Sequence, residues 1–234
     1  MTRGDVVSRS ERGVALLVAL LCMLLMTALG TALIVVTITE TGIASTYARS
    51  VEALHAADAA LAYVALELAA IDDWNTVLDG TAVPAFSDGP SSGMRMVAGD
   101  ATIDLSASTN LLRCGKRSPC SDPELIASTR DRPWGADNPR WQLHAYGPVA
   151  MWLEPGAFTS PFYVLVWVGD DPAERDGRPL EDGGPNVDGT ANAGRGMVVV
   201  LAQAYGVHGT TRRVWAEVSR AAGGIRVARW RELR

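Results

Sequence analysis

Little in this sequence points to catalysis or to nucleic acid. Histidine is scarce, with three in 234 residues, and His55, His144 and His208 stand too far apart for the short spacings that metal sites use. No glycine-rich phosphate loop follows a candidate strand. The one Gly-x-Ser-x-Gly match, Gly89 to Gly93 around Ser91, is flanked by loop on both sides, whereas a nucleophile elbow needs a strand before it and a helix after it. No catalytic residue is assigned and no enzyme is expected. The formal charge is −5, and Lys and Arg are scattered, so the basic patch that would bind nucleic acid is missing too.

Cysteines are few, three in all. Cys22 sits in an apolar stretch, while Cys114 and Cys120 bracket the polar loop Gly-Lys-Arg-Ser-Pro. That pair is a disulfide candidate, and joined by His144 it offers a less simple zinc alternative. Long apolar runs are also missing, with one exception. From Val14 to Ile38 there are 25 residues without a charge, and at ~1.5 Å per residue a helix of that length exceeds the ~30 Å hydrocarbon core of a bilayer. Lipid cannot satisfy free backbone amides, so the run must be helical. Arg3, Arg9 and Arg12 precede it and Glu40 is the first charge after it, which leaves the N-terminus cytoplasmic and the rest exported. An oxidising exterior favours the disulfide. A cleavable secretory signal would have an apolar core of only ~7–15 residues.

Ser10-Glu11-Arg12-Gly13-Val14-Ala15-Leu16-Leu17-Val18-Ala19-Leu20 resembles the class III prepilin signal, in which a basic leader ends in Gly directly before an apolar helix. Further on, Ala53-Leu54-His55-Ala56-Ala57-Asp58-Ala59-Ala60-Leu61 is similar to a stretch of PilX-type minor pilins. The resemblance covers about residues 9 to 68. It implies a leader over 1–13 and a prepilin peptidase that cuts after Gly13 and methylates the new amino group of Val14. It implies as partners other minor pilins and a pilus assembly platform, at the bacterial cytoplasmic (inner) membrane or at a filament tip. Major pilins and most pseudopilins carry Glu at the fifth mature position, where this chain has Val18, an absence shared with tip-located pseudopilins of the K type and many PilX-like sequences. That departure suits a tip or priming subunit, with no subunit above it whose amino terminus needs a carboxylate partner.

Past Glu40 the helical pattern continues, but its apolar positions narrow to one face. Tyr47, Leu54, Leu61 and Leu68 recur every seven residues beside Ala57, Val64 and Ile71. Glu40, Arg49, Glu52 and Glu67 are expected in solvent. The membrane half is thus placed at 14–38 and an amphipathic half at 39–72, a spine of about 85 Å from Val14 to Ile71 if unbroken. Residues 73–140, rich in Gly, Pro, Ser and Asp, read as an irregular connection with one short strand near Ala101 to Ser106.

Strands are expected at Trp141 to Tyr146, Phe162 to Val168, Met197 to Tyr205, Thr211 to Arg220 and Ile225 to Trp230. Val214, Ala216 and Val218 alternate with Arg213, Trp215 and Glu217, and the last two strands are joined through Ala221 to Gly224. An antiparallel sheet over 141–234 packed on the helix makes the fold class α+β and pilin-like. The loop from Asp170 to Gly196 is acidic, and Asp182, Asn186 and Asp188 in it are the candidate calcium ligands, although the spacing is not that of an EF-hand. Two functions follow as expectations: a minor pilin-like subunit that primes or caps a filament, or a membrane-anchored calcium- or surface-binding module.

Overall fold

The computed structural model describes residues 6–97, 99, 101–152, 160–183, 189–190 and 194–233, with side chains from Gly13 onward. The chain divides into two compact units, Met1–Ala48 and Arg49–Arg234. Helix α1 (Val6–Leu68) supplies the described part of the first and opens the second.

In the first unit the apolar residues cover every face of α1 and all are exposed, from Val14 (61%) through Leu25 (62%) to Ile38 (68%). Few polar groups interrupt them, and those turn inward. The hydroxyls of Thr27, Thr31, Thr37, Thr39 and Thr41 donate to the carbonyls four residues back at 2.8–3.0 Å. A hydroxyl bonded to its own helix presents a methyl group outward, which suits a lipid setting.

The second unit begins where alanine takes over. Ala53, Ala56, Ala57, Ala60, Leu61, Val64, Ala65 and Leu68 of α1 are buried, at the three- and four-residue spacing that makes one helical stripe. Small side chains there let the helix axis lie close to its partner. That partner is a sheet of five antiparallel strands in the order β3 (Gln142–Pro148), β4 (Tyr163–Asp170), β5 (Met197–Tyr205), β6 (Thr211–Ala221) and β7 (Gly224–Leu233). Val164, Val166 and Val168 of β4, Val198, Val200 and Ala202 of β5, and Val214, Ala216 and Val218 of β6 meet the helix in one core. The expected alternation on β6 holds.

The region 73–140 is more ordered than its composition suggests. It contains α2 (Asn75–Leu78), a two-stranded sheet of β1 (Met94–Met96) and β2 (Thr102–Asp104), α3 (Leu105–Cys114) and α4 (Asp122–Leu125). Asp104 caps α3 by accepting from the Ala107 N–H at 3.0 Å, and Gly115 closes it at φ 78°, a left-handed value that glycine adopts without strain. The short strand near 101–106 is real but ends at Asp104, because the next residue starts this helix.

Leu105 and Val97 cover the far face of the sheet, against Tyr146, Tyr163, Leu165, Trp167 and Leu201. This makes β4 buried along its whole length. The Trp167 indole N–H donates to the Thr109 hydroxyl at 3.0 Å, so even its polar atom is satisfied. Sheet-on-helix packing is thus backed by a third layer from the connecting region.

Two register shifts change the strand pattern. In β3 the pairing skips from Leu143 to Ala145, leaving His144 as the extra residue of a bulge. In β7 the pairing passes from Val227 to Arg229. Trp230 therefore lies opposite Ala216, and its indole donates to Asp58 Oδ1 on α1 at 2.8 Å.

Candidate functional site

Three places carry the residues singled out by sequence. The first is the start of α1. Gly13 lies inside the helix, and a Cβ built on it would meet nothing within 4 Å. Neither crowding nor backbone conformation therefore asks for glycine there. Val14 and Val18 are exposed at 61% and 53%. A helix apolar on all sides and longer than a bilayer is thick fits a single-pass membrane protein.

The second place is the loop after α3. Cys114 and Cys120 form a disulfide, with Cα atoms 6.0 Å apart. This takes both thiols from the zinc alternative, and His144 is engaged elsewhere. Around the bridge, Ser121 and Glu124 form a capping box at the start of α4, and Lys116 Nζ lies 2.5 Å from Glu124. The Lys116 ammonium, followed by the Ser121 amide and hydroxyl, holds the Glu124 carboxyl down at about 2. Arg113 fastens α3 to the sheet by donating to the Trp141 carbonyl and Gln142 Oε1, both at 2.7 Å.

Glu67 corrects an expectation. It is half-buried, not solvated, and its Oε2 lies 2.9 Å from Nε2 of buried His144. The bulge in β3 aims that imidazole at the helix. Helical periodicity leaves Glu67 off the apolar stripe, but it carries no information about a bulge 77 residues away.

The third place is the acidic loop. Among the candidate calcium ligands, Asn186 and Asp188 lie outside the described residues. Asp182 is tied to the fold: its amide donates to Asn75 Oδ1 at 2.6 Å, and its Oδ1 accepts from the Gly196 N–H at 2.6 Å. The carboxylates that converge lie earlier. Asp170 closes β4, and Glu174 and Asp176 follow on the loop. All three are buried, at 3%, 2% and 6% exposure, and one oxygen from each lies within 4.8 Å of those from the other two.

The loop is built closely around this cluster. Glu174 Oε2 accepts from the Gly183 N–H at 3.2 Å. Gly194 passes so near that a Cβ on it would stand 2.4 Å from Glu174 Cγ, so only glycine fits. Asp171 and Asp176 accept from amides two residues on, Ala173 and Arg178. Asp170 Oδ1 is buried without a hydrogen-bond partner among the described residues. Burial first, then the neighbouring Glu174, pushes the Asp170 carboxyl up to about 9, with Asp176 and Asp182 adding to the shift against the Asp171 amide. Acidic composition marked the loop, but only the fold shows which acids are buried together.

A long apolar N-terminal helix followed by a five-stranded antiparallel sheet is a pilin-like α+β layout. The PilX N-terminal family model matches residues 12–62, about a fifth of the chain. This N-terminal region is thus of the PilX type, that of type IV pilus minor pilins. No curated protein and no solved structure matches the chain.

Proposed function

We propose that this chain is a minor pilin-like subunit that helps prime or cap a type IV pilus or a related secretion pseudopilus. The observation that carries the reading is the PilX-type helix, whose residues 14–38 offer an exposed apolar surface on every side. Lipid covers such a helix before assembly, and the helices of neighbouring subunits cover it afterwards. Proteins with this N-terminal region are typically structural, and packing together with surface complementarity suffices for the role.

In this reading a prepilin peptidase cuts after Gly13 and methylates Val14, and the sheet domain lies outside the cytoplasm. A glycine that the helix itself does not require supports the cleavage position. Val18, where major pilins and most pseudopilins have Glu, supports a tip or priming place over a repeating one. A carboxylate buried in an apolar filament core is costly without a partner, and a subunit with none above it gains nothing by carrying one. The partners are the other minor pilins and the assembly platform. Mass spectrometry of the protein purified from its host membrane tests this: the expected N-terminus is N-methylated Val14, and an intact leader or a cut beyond residue 35 overturns the reading.

A second reading, a membrane-anchored calcium- or surface-binding module, is favoured by the buried carboxylates. The two part at co-purification. A pilin-like subunit brings other minor pilins with it, whereas an independent module does not.

A further inference from the structure

We propose that the outer edge of β7 is a docking site for an extended segment of a partner protein, one that alternates acidic and apolar residues. The surface belongs to the sheet alone, so it stands whether or not the helix enters a filament. Its ground is a contrast between the two edges of that sheet. At β3 the chain covers its own edge: the Tyr146 amide donates to the Phe86 carbonyl at 3.1 Å, Ser87 bridges to Tyr146 in parallel, and the strand bulges at His144. Bulges and covering segments are how natural sheets protect an edge from stray pairing. At the other edge β7 runs for 10 residues without a proline, and among the described residues it pairs only with β6. Such a strand presents a row of backbone N–H and C=O groups that another strand can take.

The side chains of β7 define what kind of strand fits. The bulge at Ala228 puts Arg226, Arg229 and Arg231 in one row, opposite Ser219, Glu217 and Trp215 on the face away from the helix. Without that extra residue, Arg226 and Arg229 would point to opposite faces. The helix-side row holds Val227 and Trp230, which stay 43% and 47% exposed at the margin of the core. A strand laid beside β7 therefore meets guanidinium groups on one face and apolar side chains on the other. The cations are available: the Arg229 side chain, 3.3 Å from Glu217, is still 76% exposed, and neither Arg226 nor Arg231 is in an ion pair among the described residues. Cross-strand pairs of opposite charge stabilise and like charges destabilise, so the matching segment carries Asp or Glu at alternate positions with apolar residues between. The same rule opposes a second copy of β7, which has three Arg and one Glu.

On the arginine face the sheet borders a groove of about 1230 Å³, walled by Trp134, Trp141 and Trp215 and, along β6 and β7, by Arg213, Arg229 and Arg231. Tryptophan and arginine are enriched at protein interfaces and at their energetic centres, and Trp134 is 42% exposed. The partner's acidic side chains would enter this groove while its backbone pairs with β7. Strand addition combines main-chain hydrogen bonds with pockets for alternate side chains in this way. A nucleic acid has no backbone that continues a sheet, and the Arg231 guanidinium already covers the Trp215 ring at 4.3 Å.

The test uses the full-length protein in detergent and end-capped synthetic peptides matching the 10 residues of β7, one alternating Glu and Val and one alternating Lys and Val. Calorimetry is expected to show one saturable site for the Glu peptide and binding at least about tenfold weaker for the Lys peptide. Hydrogen exchange of the β7 amides should slow in the complex. Alternate amides of a strand point to opposite edges, so N-methylating one set, that of the Glu or that of the Val residues, should abolish binding, and methylating the other should spare it. Arg226→Gln combined with Arg229→Gln should weaken the Glu peptide by about tenfold with the melting temperature unchanged; Arg226→Gln alone should show a smaller loss in the same direction if the pair does not fold. No binding of the Glu peptide overturns the proposal, as do equal binding of the Lys peptide, unprotected β7 amides, or the same response to both methylated forms. Tighter binding of oligodeoxythymidylate than of the Glu peptide overturns the choice of partner, as does a dimer of the free protein with its β7 amides protected.

Discussion

One helix, α1, carries two kinds of surface, and the difference between them separates an exposed apolar stretch from one that builds the core. From Val14 to Ala48 every residue is exposed, leucines and valines included; from Ala53 to Leu68 one alanine-rich stripe is almost completely buried against a sheet. The first stretch is apolar all round and so has no face to turn toward a domain. The second is apolar on one side only, and that side is spent on the core of its own chain. Side chains in the first should therefore matter to membrane and filament, and those in the second to stability.

Paired substitutions test that division most directly. Leu68→Ala, at a fully buried position, should cost about 2–5 kcal/mol of stability in thermal or denaturant unfolding of the detergent-solubilised chain. Leu25→Ala, at a residue 62% exposed, should leave the unfolding of the sheet domain within about 0.5 kcal/mol of wild type. Equal losses from the two would erase the distinction. Overfilling the stripe is the converse test. Ala57→Leu, where nothing is exposed, should cost about 1–3 kcal/mol by pushing helix and sheet apart.

Effects become smaller away from the core. Replacing Cys114 and Cys120 together by Ser opens a bridge with a sequence separation of 6, and so short a loop is worth about 2 kcal/mol in the chain-entropy model. Glu67→Ala leaves the buried His144 imidazole without its partner, an expected loss of about 1–3 kcal/mol. A comparable loss from Glu52→Ala, exposed on the same helix, would mean that the His144 contact contributes nothing.

The smallest effect concerns pH. Glu124 has its carboxyl held below the ordinary range, at about 2, so its folded form binds protons less readily than its unfolded form. The stabilisation is fully present above the unfolded carboxyl value and disappears as pH falls through about 2. The gap in melting temperature between wild type and Glu124→Gln, already small at pH 7 because the pair is exposed, should close near pH 2. A gap that widens on acidification would contradict the assignment.

Much of the fold was legible beforehand because it follows from local repetition. The uncharged run, the stripe through Leu54, Leu61 and Leu68, and the alternation on β6 each express a period that a helix or strand imposes on its own residues, although Tyr47, expected at the head of that stripe, is exposed at 71%. Helix α3 was hidden by its neighbours. Its caps, Asp104 and Gly115, are the right residues, but they stand in a stretch whose Gly, Pro and Ser content reads as loop. The bulges were illegible for a different reason. An extra residue in a strand is visible only against the partner strand, so neither the inward turn of His144 nor the flip that carries Trp230 to Asp58 has a signal of its own.

The candidate sites divide along the same line. Gly13, Val14 and Val18 stand out by position within a linear signal, and the cysteine pair by spacing; the structure adds the bond between Cys114 and Cys120 and an unfilled space around Gly13. The acidic loop was visible only as composition. By itself the sequence determined that one helix is apolar all round, that its continuation has one apolar face, and that an antiparallel sheet follows, because hydrophobic period is a property of neighbours along the chain. Only the tertiary structure decided which carboxylates are brought together and deprived of water. Burial and convergence depend on how distant strands and loops pack, and residues such as Gly194 and Glu174 meet only in the folded chain.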